Sequence, residues 1–478
     1  MNKIRAVCFA FLVLILNETI IAQDATGKLT LKQCVETGIN NNLDVQQSGL
    51  LMERSRIDWN QARLNLLPSL NGSAGLTFAQ GRTVDQATNS FINNNANYSN
   101  YGLNSDLLLF NGLNRQNLIK QNGFAYEASR MDWQQQKDNL TINIILAYLQ
   151  VLSNEDLLVQ STSQLALSKN QVDRLEVLNR EGAIPPSQFS DLKGEYANNQ
   201  LSIISTQNAL ETAKINLCQL MNIPYDKNMQ LERIDAESYA TKYEQTPDSI
   251  YQVALQQFAL VKAADFRTQS AERAVKAARG QLFPTLSLNG NLGTTTASTF
   301  YNTVTLPSSK DITSNDYVLV NGTPSPVVYH VPDTRSDKIP YRSQLNNNLN
   351  SSLSINLSVP IFNSFFYRNR VKIAKLTLKS NELAATTTKT QLQQSIERAY
   401  SNMTAASDRY KVLLEQVAAY TESFKAAEVR FNAGVGTSID YLIAKNNLDR
   451  SNIAVISAKY DYVLRTKILD YYQGKQLW

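Results

Sequence analysis

Residues Ala62-Arg63-Leu64-Asn65-Leu66-Leu67-Pro68-Ser69-Leu70 and Ala278-Arg279-Gly280-Gln281-Leu282-Phe283-Pro284-Thr285-Leu286 are one phrase written twice, 216 positions apart without a gap. A second register, offset by 252, lays Phe110, Asn111, Ala147, Tyr148 and Gly182 on Phe362, Asn363, Ala399, Tyr400 and Gly434, and continues to near the C-terminus. Self-similarity on that scale repeats a whole supersecondary unit rather than a short solenoid element. The chain is a two-fold pseudosymmetric scaffold, an architecture that binds, holds or conducts more readily than it builds a single catalytic centre.

Each copy of the phrase turns a helix into a strand. Proline lacks an N–H, its ring breaks the helical ladder, and it pushes its predecessor toward extended geometry. Helices are therefore predicted from Thr30 to Leu66 and from Pro247 to Leu282, stopped by Pro68 and Pro284. Beyond each proline the period of the apolar residues falls to two. Leu70, Gly72, Ala74, Leu76 and Phe78 oppose Asn71, Ser73 and Thr77; Leu286, Leu288 and Leu292 oppose Thr285, Ser287, Asn289 and Asn291. On the returning strands, Tyr101, Leu103, Leu107 and Leu109 alternate with Asn100, Asn104 and Asp106. Leu349, Leu353, Ile355, Leu357, Val359 and Ile361 alternate with Asn350, Ser352, Ser354, Asn356 and Ser358.

Strands are thus expected near 68–79, 99–111, 284–294 and 347–362. Each has about ten residues or more, the span of a tilted transmembrane strand. The polar face is Asn, Ser and Thr rather than charge, which suits the wet lumen of a barrel. The competing arrangement is a soluble two-sheet sandwich with one solvated face. An Asn-rich loop over about 79–99 joins the first pair. A much longer one over 295–346, carrying Pro307, Pro324, Pro326, Pro332 and Pro340, joins the second and accounts for the difference between the two offsets. Long loops at one end and short turns at the other fit an extracellular loop at 295–346.

From Asn111 and Asn363 the chain reads helical for about 70 residues each time, roughly 100 Å at the helical rise. Met403, Tyr410, Val417, Phe424 and Phe431 recur every seven residues, with Ala406, Leu413, Tyr420 and Ala427 three residues on. That is an a/d seam. In the first copy Val151, Leu158, Leu165 and Val172 keep the lane, while Asn154, Ser161 and Ser168 replace its partner lane, permitting close helix approach or lining something wet. The long helices end at Gly182-Ala183-Ile184-Pro185-Pro186-Ser187 and Gly434-Val435-Gly436-Thr437-Ser438. Glycine is the expected helix terminator and Ser or Thr a natural N-cap. Return helices follow over about 187–221 and 438–472. The segment 223–246 links the halves.

The remaining composition narrows the field. With 46 basic and 41 acidic residues the net charge is +5, which gives no electrostatic support for nucleic-acid binding. Lys3 and Arg5 precede an unbroken apolar run, Ala6 to Leu16, and Ala22 offers a small residue for cleavage. Residues 1–22 are expected as a secretory signal, since the run is too short to span a bilayer. Cys34 and Cys218 would remain. A disulfide between them is allowed in an oxidising compartment, but two buried small hydrophobes is the favoured reading. His330 is the only histidine, which rules out histidine-based metal clusters and leaves little for a catalytic triad. No cofactor motif is present. After the signal no apolar run reaches the length of a membrane helix, so any membrane entry must use strands.

Four strands cannot close a barrel, and open strand edges are not tolerated in hydrocarbon. Two subunits would give eight strands and a filled interior; three would give twelve and a lumen. Here the chain resembles the TolC-type outer-membrane efflux proteins. The resemblance is carried by Leu67-Pro68-Ser69-Leu70 and Phe283-Pro284-Thr285-Leu286, by Leu109-Phe110-Asn111-Gly112 and Pro360-Ile361-Phe362-Asn363, and by the turns at Gly182 and Arg430-Phe431-Asn432-Ala433-Gly434. It implies a mostly α protein with membrane β. Two repeats of helix–strand–strand–long helical hairpin would assemble as a homotrimer, with a twelve-stranded barrel in the outer-membrane lipid continued by a periplasmic α-helical barrel. The repeats would occupy 23–222 and 247–478, with 223–246 in an equatorial region.

The same resemblance implies no enzyme activity, no cofactor, and a duct for efflux or type I secretion working with a periplasmic adaptor and an inner-membrane transporter. It also implies adaptor-docking tips at Gly182, Ala183, Ile184, Gly434, Val435 and Gly436, and a periplasmic gate at Asp440 and Phe431. Asp440 matches the first acid of a ring that some members carry; the second acid is here Ile443, and a basic residue of the turn is Gly436. Asp440 equally reads as an acid in the first turn of a helix, favoured by the macrodipole. The alternative to a duct is a periplasmic coiled-coil structural or adhesive protein with a small soluble sheet. A secreted hydrolase using paired carboxylates has no residue pair to select it.

Overall fold

The computed structural model describes residues 27–84, 91–234 and 245–475, so the expected signal segment and part of the 223–246 linker lie outside the described residues. The first repeat holds α1 (Leu31–Asn41), α2 (Leu43–Leu64), β1 (Ser69–Val84), β2 (Phe91–Phe110), α3 (Asn114–Arg180) and α4 (Pro186–Met221). The second holds α5 (Pro247–Gln257), α6 (Ala259–Gly280), β3 (Thr285–Ala297), β4 (Tyr301–Val320), β5 (Thr323–Lys338), α7 (Tyr341–Asn347), β6 (Asn350–Ser358), α8 (Phe366–Asn432) and α9 (Ser438–Tyr472). The two offsets carry over to the element ends. Shifting by 216 takes Leu31, Asn41, Leu43, Leu64 and Ser69 to Pro247, Gln257, Ala259, Gly280 and Thr285, each the same end of the matching element. Shifting by 252 takes Asn114, Arg180 and Pro186 to Phe366, Asn432 and Ser438.

Two corrections concern the first helix of each repeat. The expected continuous helices break at Asn42 and Phe258, both extended in the backbone. Asn42 ends α1 and caps α2: its Oδ1 accepts from Asp44 N at 3.0 Å and Val45 N at 3.3 Å. Its amide donates to Leu220 O at 3.2 Å, fixing the break to α4. Phe258 turns its ring onto Tyr471 and Tyr472, with centroids 5.3 and 5.8 Å away. Side-chain partners outside the helix outweigh one continued turn of backbone.

The chain divides into two compact units. One comprises residues up to Ser55, Ala125–Thr268 and Asn381 onward; the other Arg56–Phe124 and Gln269–Ser380. The core of the first unit packs Val35, Ile144, Tyr148, Leu152, Leu217 and Met221. Each such burial contributes about 1.5–3 kcal/mol. The Tyr148 hydroxyl donates to Leu29 O and Glu232 O at 3.0 and 2.6 Å, clamping the parallel bridge Leu29–Leu231. Cys34 and Cys218 are both free and buried there. One stretch of α3 is long and apolar enough to cross a membrane by length and composition alone, although polar residues such as Asn143, Gln150 and Asn154 interrupt it. Half of that stretch is buried, as in the core helix of a folded domain. Asn154, Ser161 and Ser168 are buried as well. Asn154 donates to Ala209 O at 3.0 Å and Ser161 lies 3.4 Å from Ser202, so these small polar residues serve close approach of α3 and α4.

The second unit carries a four-stranded antiparallel sheet in the order β1-β2-β3-β6. Its strands reach 16, 20, 13 and 9 residues. Where β2 leads into α3, Gly112 at φ +64 meets the end of α6 so closely that a Cβ on Gly280 would lie 2.6 Å from Gly112 O. The glycine that ends the Leu109-Phe110-Asn111-Gly112 phrase thus marks a backbone crossing with Gly280 that leaves no room for a side chain at either position.

The expected loop over 295–346 is corrected most. β3 extends into it, β4 and β5 form a separate two-stranded ribbon, and α7 follows. The ribbon turns at Asn321 and Gly322, with φ +55 and +82. That is the left-handed pair a tight hairpin demands. Pro324, Pro326 and Pro332 are paired within it. Both strands of a two-stranded ribbon are edges, so a missing N–H can face outward. Proline therefore excluded less here than the loop reading assumed.

Candidate functional site

The register sorts the sheet into two chemically opposite faces. On one, Gly72 pairs with Leu103 and Ala74 with Tyr101, Leu103 with Leu292, Leu107 with Leu288, and Leu288 with Ile355. These side chains are uncovered: Leu70, Phe78, Leu353 and Leu357 are 72%, 73%, 74% and 67% exposed. The other face is a ladder of amides and hydroxyls, with Asn71 opposite Asn104, Asn104 opposite Asn291, and Asn291 opposite Ser352. Asp106 lies on this polar face, in a row with Asn289 and Ser354. The Asn289 amide donates to Asp106, and its oxygen accepts from Asn356 at 2.7 Å.

The second candidate is the pair of hairpin turns in the helical unit. Gly182 and Gly434 adopt φ +70 and +74, the left-handed geometry that ends a helix. Ala183 N donates to Leu178 O at 2.8 Å, and Val435 and Gly436 N both donate to Arg430 O at 3.1 Å. Ile184 packs partly into the apolar cluster beneath, whereas Val435 is 78% exposed. Thr437 caps α9 by accepting from Asp440 N at 3.1 Å, and its hydroxyl donates back to the Asp440 carboxylate at 2.8 Å. Asp440 is exposed. Phe431 is not: it is buried with Leu175, Leu192, Phe424 and Tyr441.

Sequence reasoning missed a polar inlay two turns behind these tips. Lys445 on α9 is 1% exposed, and its ammonium lies 2.6 Å from Asp449 and 3.4 Å from Glu195 of α4. Ser438 donates to Asp191 at 3.1 Å. The 252 offset lays Asp191 on Ile443, so the acid absent from the second repeat stands in the first; that correspondence was readable. The Tyr441 hydroxyl is buried without a hydrogen-bond partner. Burial, followed by the charges of Glu428, Asp449 and Glu195, pushes its ionisation well above the usual phenol range.

On the ribbon, Ser309 Oγ lies 2.5 Å from His330 Nε2, and His330 Nδ1 2.7 Å from Asp311. Asp311 stands directly opposite His330 in the strand register, and both side chains are largely exposed. Among the described residues, no group of His, Cys, Asp and Glu is placed to hold a metal ion.

A family model described as outer membrane efflux protein matches residues 35–222 and 330–471. The outer membrane efflux protein BepC of Brucella suis is 18% identical over 95% of this chain and 87% of its own length. The toxin and drug export protein A of Aggregatibacter actinomycetemcomitans is 19% identical over 91% and 83%. The solved structure of the outer membrane protein VceC from Vibrio cholerae superposes with a TM-score of 0.74 at 14% identity, covering 94% of this chain and 97% of that one. Fold and sequence agree on an outer-membrane channel rather than a soluble periplasmic coiled coil, and the chain belongs to the outer membrane efflux protein family.

Proposed function

We propose that three copies of this chain form the exit duct of a tripartite efflux pump or type I secretion system, joined to a periplasmic adaptor and an inner-membrane transporter. The observation that carries the reading is the four-stranded sheet: among the described residues its outer strands β1 and β6 each keep one unpaired edge, and its uncovered face is apolar while the opposite face is amide and hydroxyl. Open edges cannot persist in hydrocarbon. Edge pairing between neighbours closes the wall, and three copies give enough strands to leave a wet lumen. The name of the Aggregatibacter relative supports either cargo, small molecules or protein. The duct performs no chemistry in this reading. The Ser309–His330–Asp311 contact is a cross-strand hydrogen-bond pair on an open ribbon, its histidine and aspartate largely exposed.

The hairpin tips at Gly182–Ile184 and Gly434–Gly436 are the adaptor-docking ends, and Asp440 is the gate residue, its carboxylates forming a ring around the shared axis. Phe431 acts from within, holding the end of α8 against Tyr441 beside that ring. Light scattering on the detergent-purified protein, together with planar-bilayer currents, tests the assembly. A three-chain particle with ohmic, long-lived conductance is expected; a single-copy particle or a silent bilayer overturns it. Asp440→Asn should change cation block of those currents, and unaltered block removes the acidic ring.

A further inference from the structure

The apolar face of the sheet is not evenly filled. Gly72 and Ala74 leave a depression on β1, walled by Tyr101, Leu103, Leu292 and Leu349, with a volume of about 430 Å³. That is within the range of ligand pockets, and its lining is mostly carbon. A shelf stands beside it. The short helix α7 is fastened over the end of β3 by three hydrogen bonds: Thr294 Oγ1 to Leu345 O at 2.8 Å, Gln344 Oε1 from Ala297 N at 2.8 Å, and Asn348 Nδ2 to Thr295 O at 2.6 Å. From this shelf the Tyr341 hydroxyl meets the Tyr101 hydroxyl at 2.8 Å, on the same face as the groove. The next residue, Arg342, is exposed.

We infer that this groove holds one acyl chain of a phosphate-bearing membrane lipid, whose phosphate faces Arg342 and the Tyr101–Tyr341 hydroxyl pair. The inference rests on the reading of the sheet as a membrane wall. Three features choose the occupant. The groove is continuous with a face already uncovered and apolar, so what lies against it is hydrocarbon. Its end carries tyrosines, whose amphipathic rings sit at the membrane–water boundary. The residue that follows Tyr341 on the same short helix, Arg342, is exposed and brings to this end of the groove a guanidinium, whose fork matches phosphate oxygens. A soluble apolar metabolite would use the carbon lining and leave the cation unmatched.

The groove is removable without disturbing the lumen face. A Cβ on Gly72 would sit 3.4 Å from Leu103 Cδ2, an ordinary contact, so a larger side chain there extends over the depression. Gly75 points to the polar face with nothing within 4 Å of its Cβ position and serves as the control. The measurement is native mass spectrometry of the detergent-purified oligomer titrated with phosphatidylglycerol, alongside bilayer conductance of the same samples. Wild type and Gly75→Leu should retain one lipid per chain. Gly72→Leu and Ala74→Leu should lower retention about tenfold or more, the effect of uncovering about two methylenes. Arg342→Gln should lower it several-fold for phosphatidylglycerol and leave a neutral diacylglycerol unaffected. Wild type that retains no lipid, or equal retention in the groove variants, overturns the inference. Conductance reports separately on the duct: conducting oligomers with no lipid preference reject the groove alone, while silent, monomeric wild type rejects both.

Discussion

Phe431 stacks on Tyr441 with ring centroids 4.9 Å apart and planes inclined by 26°, and Phe424 closes on the same ring at 5.5 Å. This aromatic trio joins the end of α8 to the start of α9, directly beneath the turn that carries Gly434. Phe431→Ala should cost about 3–5 kcal/mol where that segment melts independently. Tyr441→Phe keeps the stack and deletes a buried hydroxyl without a partner, a group that costs about 1–3 kcal/mol to bury. Hydrogen exchange at the tip amides should therefore quicken strongly in the first variant and slow in the second. Faster exchange in Tyr441→Phe would show that the hydroxyl is satisfied in solution.

The parts of the molecule that were legible are those fixed by local rules and by the repeat. Pro68 and Pro284 announced the helix-to-strand turns, and the alternation of Leu353, Ile355 and Leu357 with serines and asparagines announced a two-faced strand. Asn42 was not legible as a break, because the helical pattern runs through it and its deciding partner, Leu220, is distant in sequence. The ribbon was missed because five prolines outweighed Asn321-Gly322, although that dipeptide between Val318, Val320 and Val327, Val328 is a strong hairpin signal. At the tips, the glycines were visible and the Lys445 inlay was not. Its bridge to Glu195 spans 250 positions, and no local pattern encodes a contact between repeats.

Lys445 supplies the second prediction. It is the buried cation between Glu195 and Asp449, whose side chains are 13% and 17% exposed. Removing one partner of such a cluster strands like charges, at about 3–5 kcal/mol. Lys445→Met alone should lower the melting temperature of the helical unit markedly. Adding Glu195→Gln and Asp449→Asn to it should restore most of the loss, because the carboxylates then need no counter-charge. A triple variant no more stable than the single one would show that Lys445 contributes by packing its stem.

Cys34 gives a pH signature. Burial, with a smaller contribution from the neighbouring Cys218, pushes its thiol from 9.0 up to about 12. A raised acid binds its proton more tightly when folded, so its contribution to stability holds below pH 9 and is lost as pH climbs from there toward 12. Urea unfolding followed at pH 8 and 10 should show the wild type losing more stability than Cys34→Ala over that interval. Both thiols should resist iodoacetamide in the native protein and react after denaturation; rapid native labelling of Cys34 contradicts the burial.

Asp106 tests the sheet as a lumen wall. Among the described residues of β1, β2, β3 and β6, the polar ladder is neutral apart from Asp106, which is held by Asn289. In a three-fold barrel its copies form a carboxylate ring facing the permeating ions, and a ring of one sign biases the ions that pass. Asp106→Asn should lower the cation-to-anion permeability ratio several-fold with little change in total conductance. Asp106→Lys should invert the preference while assembly persists, since position 106 lies on the polar face with Asn289 and Ser354 and not on the apolar one. The same substitution in a sandwich with a solvated face would leave no ion current to alter. Reversal potentials across a salt gradient decide it: an unchanged ratio in both variants would mean that this face does not line the conducting path.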